Sequence, residues 1–322
     1  MRELNRFFFH FLSGLFAVYV FTVLFFLLFP ENFYRDLFIN FLPYIIGFHL
    51  PLILAYLSFH LFVSHHKKIT RAYLLLFLVS LFIQSGLLIA PYFHATKSFA
   101  SSSKHELKVI SANVLKTNTD YQSTIDFIRE EDPDVFGLIE LTHDFSEAMN
   151  VLHEEYPHHI LFPYHSGFGI GLYSKLPLIE SKIDILSGGI PFIETHIEVE
   201  DKNIHLFLIH ALPPFNEEMF EARNNSLVQI ASLLDSRPTI IMGDFNLTPW
   251  SEYYQTFVRD SGLVSTRDMW DGLQHSWSSW GLYLPIDHIF LSRNIRVLNQ
   301  YTGEDVGSDH LPIIAELAIG NE

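Results

Sequence analysis

Thr239-Ile-Ile-Met-Gly-Asp-Phe-Asn246 is the stretch on which the fold turns. Its first four residues are β-branched or apolar, as a buried strand requires, and Gly243 interrupts them. Side chains alternate along an extended chain, so Asp244 and Asn246, two residues apart, leave the sheet on the same side. A carboxylate so placed can activate or orient water, and a neutral amide can donate to a charged oxygen without adding charge. The plainer alternative is a strand closed by an Asx turn, which the same residues favour.

Outward from this string the pattern recurs. Asn113 closes the run Leu107 to Asn113, Glu140 closes Asp134-Val-Phe-Gly-Leu-Ile-Glu140, and His210 closes Ile204-His-Leu-Phe-Leu-Ile-His210. Pro285-Ile-Asp-His-Ile-Phe-Leu-Ser292 carries Asp287, and Gly307-Ser-Asp-His-Leu-Pro312 sets Asp309 beside His310. One polar residue at a strand end is ordinary punctuation, whereas repetition within one stretch points to a shared rim. Asp is a hard oxygen ligand suited to Mg²⁺, and His is the side chain best able to move a proton near neutral pH. A buried carboxylate bonded to an imidazole orients it, so Asp287 is expected to pair with His310. His288 points to the other face of its strand and is expected to pack.

Between these strings β-like and helical patterns alternate. Helices are expected over Tyr121 to Glu131, Phe145 to Glu155, Glu217 to Leu234 and Ser251 to Arg259. Further β-like runs are His159 to Phe162, Ile170 to Ser174, Phe192 to Val199 and Ile313 to Leu317. After residue 156 strands outnumber helices, which suggests mixed sheets faced by helices rather than a doubly wound parallel sheet.

These strings, in this order over roughly residues 105 to 320, resemble the endonuclease/exonuclease/phosphatase superfamily, and the attached apolar segment resembles its bacterial membrane-anchored members. The resemblance implies a four-layer α/β sandwich and Mg²⁺-dependent hydrolysis of a phosphate ester, with Mn²⁺ as the alternative ion. It implies Glu140 as the main metal ligand, with Asn113 and Asp309 contributing. Asp244 and Asn246 would orient water and phosphate, and His210 would stabilise the pentacovalent state. Asp287 with His310 would form the acid/base pair, His310 being the base and Asp244 its rival. One departure stands out: Asn113 is followed by Val114-Leu115-Lys116, where many nucleases of the superfamily carry a further Asp or an Arg.

The first third of the chain has a different character. Phe7 to Phe29, Leu37 to Ser64 and Ala72 to Thr96 contain no Asp, Glu, Lys or Arg. Each exceeds the roughly 20 apolar residues that cross a hydrocarbon core of about 30 Å. Three transmembrane helices are expected within residues 1–96, at about 7–29, 40–63 and 72–94, then a serine-rich linker over 97–104 and a catalytic domain over 105–322. The fold class is thus an α/β sandwich preceded by an all-α transmembrane region. Arg2, Arg6, Lys67, Lys68 and Arg71 lie on one side of such spans, so the positive-inside rule puts the domain on the periplasmic or extracellular face of a bacterial inner membrane.

Charge narrows the substrate. Residues 1–104 hold eight of the 20 Lys and Arg but three of the 36 Asp and Glu, leaving a formal charge of −21 on residues 105–322. Duplex binders track many phosphates with Lys and Arg. The expected partners are therefore the lipid bilayer and a phosphoester substrate, a lipid headgroup or small phosphoester ahead of nucleic acid. A nuclease, or an inactive receptor of the same fold, are the alternatives. The chain has no cysteine, which excludes thiolate zinc sites and cysteine nucleophiles. Trp250, Trp270, Trp277 and Trp280 are expected in the core. His10, His49 and His60 are expected to bond between apolar helices.

Overall fold

The structure is a computed structural model and describes residues 2–28, 31–62, 67–94, 107–267 and 274–319. The expected linker at 97–104 and Trp270 lie outside the described residues. The chain separates into two compact units, Met1–Pro91 with Trp250–Glu252, and Tyr92–Pro249 with Tyr253–Glu322.

The first unit is helical: α1 (Arg2–Leu28), α2 (Phe33–Ile39), α3 (Leu42–Phe62) and α4 (Lys67–Ile89), the last extended by a 3-10 turn, Ala90–His94. The uncharged run from Leu37 is divided at Asn40, whose side-chain amide donates to the Asp36 carbonyl at 2.8 Å and closes α2, so that α3 starts at Leu42, beside the start expected at about residue 40. By length and composition Arg71–Tyr92 is long and apolar enough to cross a membrane. A second span counts if α2 and Leu42–Ser58, bent by 64°, are taken together, and His10–Val23 is a shorter apolar helix. Helices α1, α3 and α4 with its 3-10 turn cover the stretches expected at about 7–29, 40–63 and 72–94. Leu12, Tyr19, Leu52, Tyr56 and Phe77 form the interior, with the Phe16 and Tyr73 rings stacked at 4.1 Å. His49 is buried, with its ring against that of Tyr19.

The second unit contains α5 (Tyr121–Glu131), α6 (His143–Ala148), α7 (Glu217–Leu233) and α8 (Glu252–Ser261). One sheet runs β13 (Arg296–Thr302), β14 (Ile313–Ala318), β1 (Leu107–Asn113), β2 (Val135–Ile139), β4 (Ile170–Ser174), β3 (His158–Phe162). The other runs β5 (Ile179–Leu186), β6 (Ile190–Val199), β7 (Lys202–His210), β8 (Thr239–Asp244), β12 (Asp287–Leu291), β9 (Val264–Ser265). A separate hairpin pairs β10 (Trp277–Ser279) with β11 (Leu282–Leu284). Both sheets are mixed. β1 and β2 are parallel, as are β7 and β8, and a helix joins each pair as a parallel crossover requires. The crossover helices start on side-chain caps, Asp120 accepting from Ser123 N and Asn216 from Met219 N.

Alternation sorts the side chains into layers. Val109, Val135, Leu208, Ile240, Met242 and Ile289 meet between the sheets. Ile110, Phe136 and Leu138 turn outward to Ile125 and Phe145, while Phe207, Ile241 and Phe290 turn to Leu227 and Phe257. The result is helix, sheet, sheet, helix. β5 and β13 fall outside the expected strands because both are polar: β5 is mostly exposed at a sheet edge, and β13 carries Asn299 and Gln300.

Candidate functional site

The last rung of the inter-sheet core is polar. Along β7, β8 and β12, positions 208, 242 and 289 face the other sheet, so at period two His210, Asp244 and Asp287 do as well. Register places these three side by side, His210 opposite Asp244 on β7–β8 and Asp244 opposite Asp287 on β8–β12. Asn113 occupies the same rung of β1, two residues beyond Ser111 and four beyond Val109. Gly243 makes the register close: a Cβ there would lie 1.9 Å from the Ile209 carbonyl oxygen, and its φ is +152°.

Contacts knit this rung together. Asn113 Nδ2 donates to Glu140 Oε1 at 3.3 Å and to Asp244 Oδ2 at 3.2 Å. The second Glu140 oxygen accepts from the Lys116 backbone N–H at 3.0 Å. Glu140 sits at φ 61°, a left-handed conformation that costs a side-chain-bearing residue about 1–2 kcal/mol. His310 Nδ1 and Asp287 Oδ2 share a hydrogen bond of 2.8 Å, and the opposite face of that imidazole puts Nε2 3.8 Å from Asp244 Oδ2. His210 Nε2 approaches the same Asp244 oxygen at 3.7 Å. Asn246 donates its backbone N–H to Asp244 Oδ1 at 2.9 Å and its side-chain amide to the Ala211 carbonyl at 2.9 Å.

Charge follows from this burial. Desolvation and then the Asp287 charge push the Asp244 carboxyl up to about 8. Desolvation opposes a charge on His310, yet Asp287 and Asp244 outweigh it and raise the imidazole to about 10. His210 is lowered to about 4 by burial and then by His310. His288, bonded to the Leu247 carbonyl at 2.7 Å, is lowered to about 3 by burial and packs among Phe245, Tyr254 and Phe290.

Asp309 stands apart from Asn113 and Glu140. Its Oδ2 accepts from Trp277 Nε1 at 3.0 Å, while Oδ1 is buried without a hydrogen-bond partner. Its loop is nevertheless tied to β1, because Ser308 Oγ donates to the Asn113 carbonyl at 2.8 Å. Among the described residues, Asp244, Asp287 and His310 bring ligand atoms within 4.8 Å of one another, close enough to hold a metal ion. That grouping differs from the expected set of Asn113, Glu140 and Asp309. Hydrogen bonds engage ligand atoms in both sets: Asp287 Oδ2 and His310 Nδ1 share one, while Asn113 Oδ1 accepts from the Leu115 N–H at 3.0 Å and Glu140 Oε2 from the Lys116 N–H at 3.0 Å. Glu140, Asp244 and Asp287 at neighbouring strand ends, with Asp309 and its orphaned buried oxygen on the loop tied to β1, are hard oxygen donors of the kind a divalent cation takes.

Several supporting residues escape a search for polar strand ends. Ser276 Oγ accepts from the backbone N–H of Asp287 at 3.0 Å, and Arg223, fully buried on α7, donates to the Asn246 carbonyl at 3.2 Å. Their sequence neighbourhoods carry no motif; the one signal is a cation in the middle of a helix of an acidic domain. Of the tryptophans expected in the core, Trp250 is buried, Trp277 is half-buried beside Asp309, and Trp280 is 100% exposed at the β10–β11 turn.

Residues 110–310 match the Endonuclease/Exonuclease/phosphatase family. The chain belongs to this family. Among similar solved structures, an endonuclease/exonuclease/phosphatase from Beutenbergia cavernae has 18% identity and a TM-score of 0.58, over 67% of this chain and 72% of that one. The catalytic domain of human nocturnin with bound sulfate has 18% identity and a TM-score of 0.53, over 66% and 94%. Sphingomyelinase C from Streptomyces griseocarneus has 16% identity and a TM-score of 0.50, over 66% and 99%. At such identities the likeness establishes the fold. No curated protein sequence matches the chain. In this endonuclease/exonuclease/phosphatase family member, the matched region spans Asn113, Glu140, His210, Asp244, Asn246, Asp287, Asp309 and His310.

Proposed function

We propose that the protein is a membrane-tethered, divalent-metal-dependent phosphoesterase acting on a phosphodiester. The observation that carries this reading is the shared last rung of the sheets, where Asn113, His210, Asp244 and Asp287 are adjacent and His310 closes over them. Glu140 and Asn113, with Asp309 from the loop tied to β1, would hold a divalent cation, which when bound would supply Lewis-acid polarisation of a phosphoryl oxygen. The chain's own groups do the rest. Asp244, flanked by two imidazoles, takes the proton of the attacking water in its ionised form, which a value raised to about 8 makes dominant only in mild alkali, and the Asn246 turn holds that carboxylate in place. Asp287 keeps His310 protonated and aimed at the phosphate, where positive charge offsets the charge that builds on its oxygens. This exchanges the roles expected from sequence, where His310 is the base, because a histidine raised to about 10 is a poor proton acceptor at neutral pH.

Two features support a lipid-borne substrate over duplex DNA. The domain is strongly acidic, and exposed Trp280 and Tyr283 stand on the hairpin whose Trp277 contacts Asp309. Tethering by the helical unit is supported by its exposed Phe21, Leu54 and Phe82. The basic residues near the ends of its helices favour a periplasmic or extracellular domain; digestion of the domain by protease only after cell lysis would overturn that side.

Assay of the detergent-solubilised protein with Mg²⁺ and bis-p-nitrophenyl phosphate tests the chemistry. Glu140→Ala and His310→Ala are each expected to lower hydrolysis at least about 10²-fold at unchanged melting temperature. Near-normal activity in both variants sinks the proposal. Side-by-side hydrolysis of sphingomyelin, phosphoinositide and plasmid DNA ranks the substrate classes, and plasmid as the best substrate favours the nuclease alternative.

A further inference from the structure

Lys116 follows Leu115, which stands where many related nucleases carry an acidic residue or an arginine, and it occupies a defined position. Its backbone N–H is anchored on Glu140 Oε2 at 3.0 Å. In the β3–β4 loop, Gly167 has φ +89°, and a Cβ there would meet Lys116 Cδ at 3.0 Å. The same point lies 3.5 Å from Lys116 Nζ and 3.5 Å from Glu140 Oε2. The missing side chain thus leaves room for the lysine stem to lie over the loop, with its ammonium near the Glu140 carboxylate. Lys108, Lys175 and Lys182 each pair with a carboxylate, whereas Lys116 has no ion-pair partner among the described residues. It is exposed at the mouth of the site in a domain of formal charge −21.

We infer that Lys116 binds a non-bridging phosphoryl oxygen of the substrate beside Glu140 and sets the affinity of the site for phosphate; this rests on the phosphoesterase reading. An ammonium is a compact charge with three rotatable donors, which suits one oxygen of a tetrahedral anion. A cation at Glu140 and the Lys116 ammonium repel each other at short range, and an anionic oxygen between them converts that repulsion into two attractions. Mere neutralisation of Glu140 explains less, since an exposed ion pair adds little stability and no such pair is formed.

The test uses the full chain in detergent, with bis-p-nitrophenyl phosphate as substrate, orthophosphate as competitive inhibitor and calorimetry for Mg²⁺. Lys116→Gln is expected to raise both KM and the orthophosphate inhibition constant about tenfold, with kcat within about threefold of wild type. Lys116→Arg should recover most of that affinity, and Mg²⁺ binding to phosphate-free Lys116→Gln should be no weaker than in wild type. Unchanged KM and inhibition constant, or Mg²⁺ affinity falling in step with KM, overturns the role of Lys116 while leaving the phosphoesterase reading intact. A wild-type protein that neither hydrolyses the diester nor binds orthophosphate overturns both.

Discussion

The two units of this chain distribute polarity in opposite senses. In the helical unit Tyr19, Tyr56, Ser80 and Gln84 are buried while Phe82 is 81% exposed. In the α/β unit apolar residues fill three layers, and buried carboxylates and imidazoles gather where Asp244, Asp287, His210 and His310 meet at the strand ends. On the proposed tethering to a bilayer, the contrast is that of two units in different solvents. Outward apolar surface is stable in lipid tails, whereas in water the same surface is driven inward.

The largest expected effect tests the site side of this comparison. Asp244→Asn should lower kcat about 10³-fold, because the amide cannot accept the water proton. Its melting temperature should hold or rise, since burial and Asp287 already penalise the charge on Asp244. A melt well below wild type would show that the charged rung holds the sheets together. Next comes the lipid side. Phe82→Asp is expected to weaken membrane insertion by about 3 kcal/mol, seen as protein released by alkaline extraction. The matching change Val228→Asp, at a 67% exposed position on α7, should alter domain stability by under about 0.5 kcal/mol. Equal, small effects at both positions would remove the case for a bilayer.

Gly243→Ala probes how the rung is built. With a Cβ forced against the Ile209 carbonyl, a loss of about 3 kcal/mol in the thermal melt is expected. A variant that melts with wild type would mean that β7 and β8 can part without cost. The smallest effect is a pH dependence. His288 is held near 3, below the ordinary value of about 6.5, so the folded state resists its protonation. Its contribution is full above about pH 6.5 and is lost as pH falls toward 3. His288→Gln keeps a donor for Leu247 but does not titrate. It should melt a few degrees below wild type at about pH 7.5, with the gap closing by about pH 4.5. A gap constant across that range would place His288 outside the acid response.

Legibility followed burial. β1, β2, β4 and β8 lie wholly or nearly wholly in the core, so their hydrophobic runs show plainly in the chain. β5 and the β10–β11 hairpin are short or edge-exposed, and hydrogen bonds to neighbouring strands define them more than composition does. The polar strand ends were visible for the same reason as the strands, since each interrupts an apolar run. Trp277, Ser276 and Arg223 were not, because they act on Asp309, Asp287 and Asn246 across sequence separations that no local pattern encodes.

By itself, the order of residues determined the alternating strands and helices, the apolar helical first third, the acidity of the rest and the identity of eight polar residues in family order. Periodicity and composition are local properties, and they survive without a fold. Tertiary structure alone decided that His210, Asp244 and Asp287 share one rung, while the Asp287–His310 hydrogen bond met an expectation already drawn from sequence. It also decided that Lys116 lies over a glycine beside Glu140. Those relations depend on sheet register and on close packing between segments far apart in the chain, and the charge each group carries depends in turn on the burial that packing imposes.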